Sequence, residues 1–158
     1  MIFITLGSQK FQFNRLLKAV DKLVENATIT DKVFAQIGYS DYNPQNYQFT
    51  RFLDRDEFAK IIEEADIVIT HGGTGSIMEA VKKGKKVIAI PRRMKYGEHI
   101  DDHQLQVVRQ FKDLNLICEC DDAEKISDAL NLVKKSTYKK YVSNTPKIID
   151  SIINFLER

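Results

Sequence analysis

The chain has 158 residues, of which 43% are hydrophobic and 29% are charged, as in an ordinary globular protein. A single domain over residues 1–158 is expected, large enough to bury a core without disulfides or a structural metal. The 24 Lys and Arg residues nearly balance the 22 Asp and Glu residues, which argues against a nucleic-acid-binding protein. The sequence shows neither a signal peptide nor an apolar run of about 18 residues, so we expect a cytoplasmic protein.

Short apolar runs rich in β-branched residues alternate with segments of helical periodicity along the chain. This alternation is typical of repeated βα units, so it predicts an α/β fold with a doubly wound, Rossmann-like parallel sheet of about six strands. The predicted strands are residues 2–6, 33–37, 47–52, 67–70, 87–90 and 116–118. Helical stripes lie at residues 13–20, 58–65 and 126–133, and a closing helix follows Pro146.

Helix starts and cysteines complete this outline. Asp54 followed by Glu57 predicts a capping box for a helix beginning near Arg55, and Asp122 predicts a second helix start. Cys118 and Cys120 have no further soft ligand nearby in sequence, so we interpret both as inert, reduced thiols. In a doubly wound sheet ligands bind at the carboxyl ends of the strands, so functional residues are expected in the βα loops.

The most informative βα loop runs from Thr70 to Ala80 and contains glycines at positions 72, 73 and 75. It follows a buried strand and opens a helix, so its glycines let backbone N–H groups approach a ligand beside a helix N-terminus of partial positive charge. Thr74 and Ser76 add hydroxyl donors. The loop therefore predicts an anion site, most naturally for phosphate; the alternative is a tight turn with a hydroxyl cap.

Three familiar motifs do not fit this loop. A dinucleotide fingerprint would need a glycine at position 78, which is Met78, and an acidic residue at a strand end about 20 residues later. A Walker loop is excluded because Gly84-Lys85 has no glycine five positions earlier. A lipase-like reading of His71-Gly72-Gly73 fails because no G-x-S-x-G elbow is present.

Two further loops contribute to the predicted site. Residues 7–10 (Gly-Ser-Gln-Lys) follow the first strand, which lies beside the fourth in the order 3-2-1-4-5-6, and two neighbouring anion-binding loops suit a diphosphate. Asp102, His103 and Gln104 open a helix, where they predict binding of a hydroxyl-rich ligand or, alternatively, an N-cap with solvated neighbours. A zinc site from His99, Asp102 and His103 is a weaker alternative without a fourth ligand.

Together these motifs resemble a known family. The segments that carry the resemblance are Gly7-Ser8-Gln9, Phe52-Leu53, Ala65 through the glycine cluster to Glu79, and Pro91 through Asp102-His103-Gln104. They are similar to the C-terminal, donor-binding half of family 28 glycosyltransferases, which have the two-lobed GT-B architecture. The resemblance covers about residues 1–135. Its short form is similar to catalytic subunits of two-subunit enzymes, either the eukaryotic UDP-GlcNAc transferase acting on dolichol-linked sugar or bacterial capsule and exopolysaccharide enzymes.

The resemblance implies roles for individual residues in a single UDP-sugar donor-binding domain. Glu79 would bind the ribose hydroxyls, and main-chain groups of Phe52 and Leu53 would read the uracil edge. Asp102 and Gln104 would bind hydroxyls of the donor sugar. The remaining donor-binding residues surround the diphosphate or complete the pocket: Gly7, Ser8, Gln9, His71, Gly72, Gly73, Thr74, Gly75, Ser76 and His103.

The implied reaction is inverting transfer of a hexosyl residue (Gal, GlcNAc, Glc or GlcA) from a UDP-sugar to a polyprenyl-diphosphate-linked sugar, without metal or other cofactor. Complete members carry an acceptor lobe, so the resemblance implies a membrane-anchored second subunit that supplies this lobe and recruits the chain to the cytoplasmic face of the membrane. The partner is the favoured source of the general base, and His99 is the weaker candidate. A non-catalytic nucleotide-binding module that stimulates a partner transferase is the alternative; one lobe of a hydrolysing UDP-GlcNAc 2-epimerase is disfavoured by the length.

Overall fold

The computed structural model describes residues 1–157, which form a six-stranded sheet covered by helices on both faces. Neighbouring strands all pair in parallel, in the order β3-β2-β1-β4-β5-β6. The predicted doubly wound sheet is therefore confirmed, together with its strand order. The strands are β1 (Ile2–Thr5), β2 (Val33–Gln36), β3 (Gln48–Thr50), β4 (Ile67–His71), β5 (Lys86–Ile90) and β6 (Cys118–Glu119).

Three of the helices contain the predicted apolar stripes, and the closing helix begins at Thr145, one residue before Pro146. They are α1 (Asn14–Glu25), α2 (Arg55–Glu64), α3 (Thr74–Lys82), α4 (His103–Asp113), α5 (Ile126–Lys135) and α6 (Thr145–Leu156). The predicted capping box is present at α2, because the Asp54 carboxylate accepts the Glu57 N–H at 2.8 Å and the Glu57 carboxylate accepts the Asp54 N–H at 3.0 Å. Among residues 1–157, no helix combines the length and apolar character that crossing a membrane requires.

The core consists of two apolar layers, one on each face of the sheet. Ile4 belongs to the layer formed with α1 and α5, and Phe3 belongs to the layer formed with α2, α3 and α4. Both side chains are fully buried, as expected of parallel strands that helices cover on both faces. Burying one such side chain stabilises the fold by roughly 1.5–3 kcal/mol. Adjacent residues of β1 therefore each stabilise a different core layer. Cys118 and Cys120 are buried free thiols.

The two edge strands differ from the prediction. β3 is shorter than residues 47–52, and β6 begins at Cys118 instead of Leu116. The Leu116 N–H donates to the Phe111 carbonyl at 3.1 Å, so this residue still belongs to the turn that ends α4. Its apolar character reflects packing against the second core layer and not strand pairing.

Two connections at the carboxyl edge of the sheet are fastened together, namely the β1–α1 loop and the β5–α4 loop. The buried carboxylate of Glu98 accepts hydrogen bonds from Arg15 Nε at 2.9 Å and Arg15 Nη2 at 3.1 Å. Arg92 Nη2 donates to the carbonyls of Leu6 at 2.9 Å and Phe11 at 3.2 Å, which lie on either side of residues 7–10. These bonds fix the loop carrying Gly7, whose φ of +72° is readily adopted only by glycine.

Candidate functional site

Two adjoining hollows open at the carboxyl edge of the sheet. The central hollow, about 410 Å³, lies between the β1–α1 loop, the β4–α3 loop and the start of α4. The lateral hollow, about 250 Å³, lies between the ends of β1 and β2, the start of α2, and α3. They share Gly7, Ser8 and Ser76, so an elongated ligand could occupy both. Predicted residues on the central hollow are Gly7, Ser8, Gln9, His71, Gly72, Gly73, Thr74, Gly75, Ser76, His99, His103 and Gln104; Leu53 and Glu79 line the lateral hollow.

The first turn of α3 faces the central hollow without a cap. Gly73 is the N-cap residue and offers no side chain, whereas α2 satisfies its own terminus with the Asp54 carboxylate. Backbone N–H groups in the first turn of a helix have no partner within that helix. Thr74, Gly75 and Ser76 line the central hollow at this turn. Their N–H groups are therefore available to an anion, and the helix dipole favours negative charge there.

His71 accounts for two of the glycines around the central hollow, because its imidazole lies between Gly7 and Gly73. A Cβ atom on Gly73 would stand 2.2 Å from His71 Cε1, and one on Gly7 would stand 2.7 Å from His71 Nε2. A Cβ on Gly72 would meet Gln104 Cβ at 2.6 Å, whereas one on Gly75 meets nothing within 4 Å. All three glycines of the β4–α3 loop were expected from the sequence to let a ligand approach the backbone. The structure corrects this for two of them, because Gly72 and Gly73 make room for the side chains of Gln104 and His71, and open space lies beside Gly75 alone.

The hydrogen bonds of Gln104 fix the tautomer of His71. Gln104 Oε1 accepts the backbone N–H groups of Gly72 and Arg92, both at 3.0 Å, so the orientation of its carboxamide is determined. Gln104 Nε2 then donates to His71 Nδ1 at 3.2 Å. His71 must carry its proton on Nε2, which lies 3.3 Å from Ser76 Oγ. Burial, reinforced by the nearby Arg92 charge, lowers the pKa of His71 to about 3, so the ring is neutral at physiological pH.

This tautomer determines what Ser76 offers to a ligand. Because His71 Nε2–H donates to Ser76 Oγ, the hydroxyl hydrogen of Ser76 is free to donate elsewhere. Ser76 lines both hollows at their junction. The hydroxyl is thus a second donor beside the uncapped helix turn.

Arg92 adds a buried positive charge behind the central hollow. Its side chain is 1% exposed, and among residues 1–157 no carboxylate forms an ion pair with it. Burial lowers the pKa of Arg92 to about 10, which leaves the guanidinium charged at neutral pH. Its field reaches the hollow, since it contributes to the low pKa of His71. No feature of the sequence indicated this role for Arg92 other than its position in the loop that follows β5, two residues after Ile90.

Two predicted residues lie outside both hollows. Asp102 Oδ1 accepts the Met94 N–H at 2.9 Å and lies 3.3 Å from Arg93 Nε, so this carboxylate closes the β5–α4 loop. The Phe52 side chain is 44% exposed, and its ring packs edge-on against Tyr39 with centroids 5.1 Å apart. The expectation that Asp102, His103 and Gln104 all open on one crevice therefore holds for the last two residues alone.

His99 lies at the mouth of the central hollow. Its Nδ1 is 3.2 Å from Asp101 Oδ1, and its ring packs against Phe11 with centroids 4.7 Å apart. Since a carboxylate only accepts, Nδ1 carries the proton when this bond forms and Nε2 is left as an acceptor. Within the part of the chain that the structure describes, no group of three or more His, Cys, Asp or Glu residues is arranged to hold a metal ion.

Two polar residues of the lateral hollow, Thr5 and Gln36, were not predicted from the sequence. Each ends its observed strand and is the next-to-last residue of the predicted one, so a polar side chain near the end of an otherwise apolar run was the available signal.

Comparison with known proteins agrees with this geometry. Residues 1–151 match the sequence profile of the Glycosyltransferase family 28 C-terminal domain. The UDP-N-acetylglucosamine transferase subunit ALG13 of Homo sapiens is 28% identical over 117 residues, which cover 70% of this chain and 10% of that protein. The subunit of the same name from Candida glabrata is 28% identical over 95 residues, covering 59% of this chain and 46% of that protein. The chain therefore spans less than half of the length of either relative.

Solved structures show the same fold at low sequence identity. An NMR structure of ALG13 superposes with a TM-score of 0.60 at 17% identity, covering 92% of this chain and 91% of that chain. MurG of Acinetobacter baumannii superposes with a TM-score of 0.59 at 18% identity, covering 85% of this chain and 41% of that chain. The fold is thus that of one lobe of a GT-B glycosyltransferase, and with the profile match over nearly the whole sequence, the chain belongs to the glycosyltransferase family 28 C-terminal domain family.

Proposed function

We propose that this chain is the catalytic, UDP-sugar-binding subunit of an inverting glycosyltransferase. The uncapped first turn of α3, at the junction of two adjoining hollows, is the observation that carries the proposal. The diphosphate would occupy the central hollow, where it meets the N–H groups of residues 74–76, the Ser76 hydroxyl and the β1–α1 loop. The uridine would lie in the lateral hollow, with Glu79 at the ribose and Leu53 near the base.

The proposed chemistry follows from these donors. Negative charge develops on the β-phosphate as the bond to the anomeric carbon breaks, and fixed donors stabilise this charge in the transition state. The α3 turn, the Ser76 hydroxyl and the buried Arg92 charge would supply this stabilisation. We therefore expect the donor site to work without a divalent metal, and a transfer rate unaffected by a chelator would support this expectation.

The acceptor side of the cleft would come from a partner. We propose a membrane-anchored second subunit that recruits this chain to the cytoplasmic face of the membrane and presents a polyprenyl-diphosphate-linked sugar. Support comes from the relatives, whose names describe subunits of a UDP-N-acetylglucosamine transferase. We propose a hexosyl residue (Gal, GlcNAc, Glc or GlcA) as the transferred group. The proposed product is a lipid-linked glycan, including a precursor of a surface polysaccharide.

Calorimetric titration tests the donor site directly. UDP and a UDP-sugar should bind the wild-type chain, while ADP and NAD should not compete. Ser76→Ala removes a hydroxyl donor to a charged group, so UDP affinity should fall about 10- to 100-fold. Glu63→Gln, on the exposed surface of α2, is the control and should bind UDP like the wild type. Binding of NAD or ATP in place of UDP would contradict the proposal.

A non-catalytic module that stimulates a partner transferase is the competing function. The two are separated by kcat at saturating UDP-sugar with the partner present. If this chain holds the leaving diphosphate, Ser76→Ala should lower kcat by about 10²-fold, because a transition-state donor is lost. An unchanged kcat would favour the stimulating module. Gln104→Ala is less informative, since Gln104 also binds the Gly72 and Arg92 backbone.

We propose that the general base lies on the partner, with His99 as the candidate within this chain. Asp101 orients the His99 ring with Nε2 as an acceptor, which is the arrangement a base requires. If the partner supplies the base, His99→Gln should change kcat only a few-fold. A loss of about 10²–10⁴-fold would assign the base to His99.

A further inference from the structure

The chain turns sharply after β2, and this turn lies beside the β1–α1 loop on the side away from the central hollow. Residues 37–40 form the turn, which we call the backing turn, and the Ser40 N–H closes it by donating to the Ile37 carbonyl at 3.1 Å. Strand β1 lies between β2 and β4, and the central hollow lies on the β4 side. Gly38 and Ser40 are buried and line neither hollow, so the backing turn has no direct contact with a ligand there.

The backing turn meets both ends of the connection between β1 and α1. At one end, a Cβ atom on Gly38 would stand 2.9 Å from the carbonyl oxygen of Gly7, which is closer than such atoms approach in proteins. At the other end, the Phe13 N–H donates to Ser40 Oγ at 2.9 Å. The backing turn and the β1–α1 loop therefore pack as one unit.

Arg51, which follows β3, holds the backing turn in place. The Gly38 N–H donates to the Arg51 carbonyl at 2.8 Å. Arg51 Nη1 donates to the carbonyls of Ser40 at 2.9 Å and Gly38 at 3.4 Å. Gly38 has a left-handed backbone, with φ +56°. Because both backbone groups of Gly38 are held, a side chain placed there would displace the Gly7 carbonyl.

The contact at Gly38 determines the orientation of the peptide between Gly7 and Ser8. In a planar trans peptide the C=O and the following N–H point in opposite directions. The Gly7 carbonyl lies against the backing turn on the β2 side, so the Ser8 N–H is directed toward the β4 side, where Ser8 lines the central hollow. A displaced Gly7 carbonyl would rotate this peptide and turn the Ser8 N–H away from the hollow.

We propose that Gly38 is a positioning residue for the anion site, because the space left by its missing side chain sets the direction of the Ser8 N–H. Gly38 acts through the β1–α1 loop and touches no ligand itself. This inference rests on the proposed function, since it uses the diphosphate placed in the central hollow as the group that Ser8 meets.

Calorimetric titration of two glycine variants with UDP tests this role. Gly38→Ala should weaken UDP binding about tenfold, the loss of one hydrogen bond to a charged group. Gly84→Ala is the matched control, because Gly84 also has a left-handed backbone, with φ +70°, but has open space beside it and lines neither hollow. Both variants place a side chain on a left-handed backbone, so both should lower the urea midpoint of unfolding. Gly84→Ala should bind UDP like the wild type.

Gly38→Asn separates backbone strain from the contact with Gly7. Asparagine tolerates the left-handed region better than alanine, so this variant should be more stable than Gly38→Ala and still bind UDP about tenfold more weakly than the wild type. Wild-type affinity in Gly38→Asn would attribute the effect to strain and overturn the inference. Wild-type affinity in Gly38→Ala, or equal weakening by Gly84→Ala, would overturn it as well, while the proposed function stands.

Amide NMR spectra of the unliganded protein report the position of the peptide directly. The Ser8 amide resonance should move in both Gly38 variants and stay in place in Gly84→Ala. An unmoved Ser8 resonance in the Gly38 variants would overturn the inference. Failure of the wild type to bind UDP would overturn the proposed function itself, and the inference with it.

Discussion

Gly73 and Gly75 stand two positions apart, yet the structure requires only one of them to be glycine on steric grounds. The backbone of Gly73 is extended, with φ −81° and ψ 127°, which alanine adopts readily, but its Cβ would overlap the His71 ring. Gly75 lies inside α3 with open space beside it. A substitution pair therefore distinguishes the packing role of a glycine from its conformational role.

We expect Gly73→Ala to displace His71 and thereby disturb Ser76, weakening UDP binding by at least tenfold. The cost should shrink in a His71→Ala background, because the clashing ring is gone. Gly75→Ala should stabilise the fold by roughly 0.5–1 kcal/mol, the gain of alanine over glycine in a helix. Urea denaturation with UDP titration measures both effects. Equal destabilisation by the two single substitutions would contradict the assigned role of His71.

His71 also makes a prediction about pH. The pKa of His71 is about 3 in the folded protein, below the ordinary value of 6.5, so between these values the unfolded chain binds a proton that the native chain does not. The contribution of His71 to the free energy of unfolding is therefore fully present above pH 6.5. It is lost as the pH decreases toward 3, by up to about 1.4 kcal/mol per pH unit. Urea unfolding at pH 4.5–6 should show this slope. His71→Gln should reduce this slope, and His103→Gln, at an exposed position of α4, is the matched control; an identical slope in all three proteins would contradict a buried neutral His71.

The conformation of the β5–α4 loop depends on one buried carboxylate. Glu98 accepts three hydrogen bonds, two from the Arg15 guanidinium and one from the Arg93 N–H at 2.9 Å. Glu98→Gln keeps the shape but removes the closer and more deeply buried of the two counter-charges of Arg15, and we expect a loss of about 3 kcal/mol in the free energy of unfolding. Glu63→Gln is the control because the Glu63–Lys83 pair is exposed, which limits its worth to less than about 1 kcal/mol. Chemical denaturation measures both variants. Equal losses in the free energy of unfolding would show that the buried pair stabilises the fold no more than the exposed pair.

The elements themselves were accessible from the sequence, and so was most of the candidate site. Local signals are strong where one physical cause dominates: the Asp54–Glu57 spacing predicted a real capping box, and the apolar runs marked the four inner strands. Side-chain networks were not accessible, because Gln104 is 32 residues from Gly72 and Arg92 is 86 residues from Leu6. Nothing local in the sequence indicates that these groups contact one another, so the roles of Gln104, Arg92 and Asp102 required the structure.

The last helix, α6, contributes no residue to either core layer of the molecule. None of its residues is buried, and its apolar face remains about half exposed, with Ile148 at 57%, Ile152 at 54% and Ile153 at 45%. Tyr141, just before α6, is the last residue that packs against either core layer, and Lys82 lies over its ring. The folded unit that carries both hollows is thus complete within the residues preceding α6.

Deleting residues 144–158 should therefore leave the candidate site intact. Because α6 buries no apolar side chain, its removal should change the free energy of unfolding by less than about 0.5 kcal/mol. UDP affinity should also be unchanged, since no residue of α6 lines either hollow. Removing an exposed apolar face should in turn lower self-association at high concentration. Urea denaturation, UDP titration and sedimentation velocity measure the three effects, and a loss of more than about 1 kcal/mol would mean that α6 covers part of the core in solution.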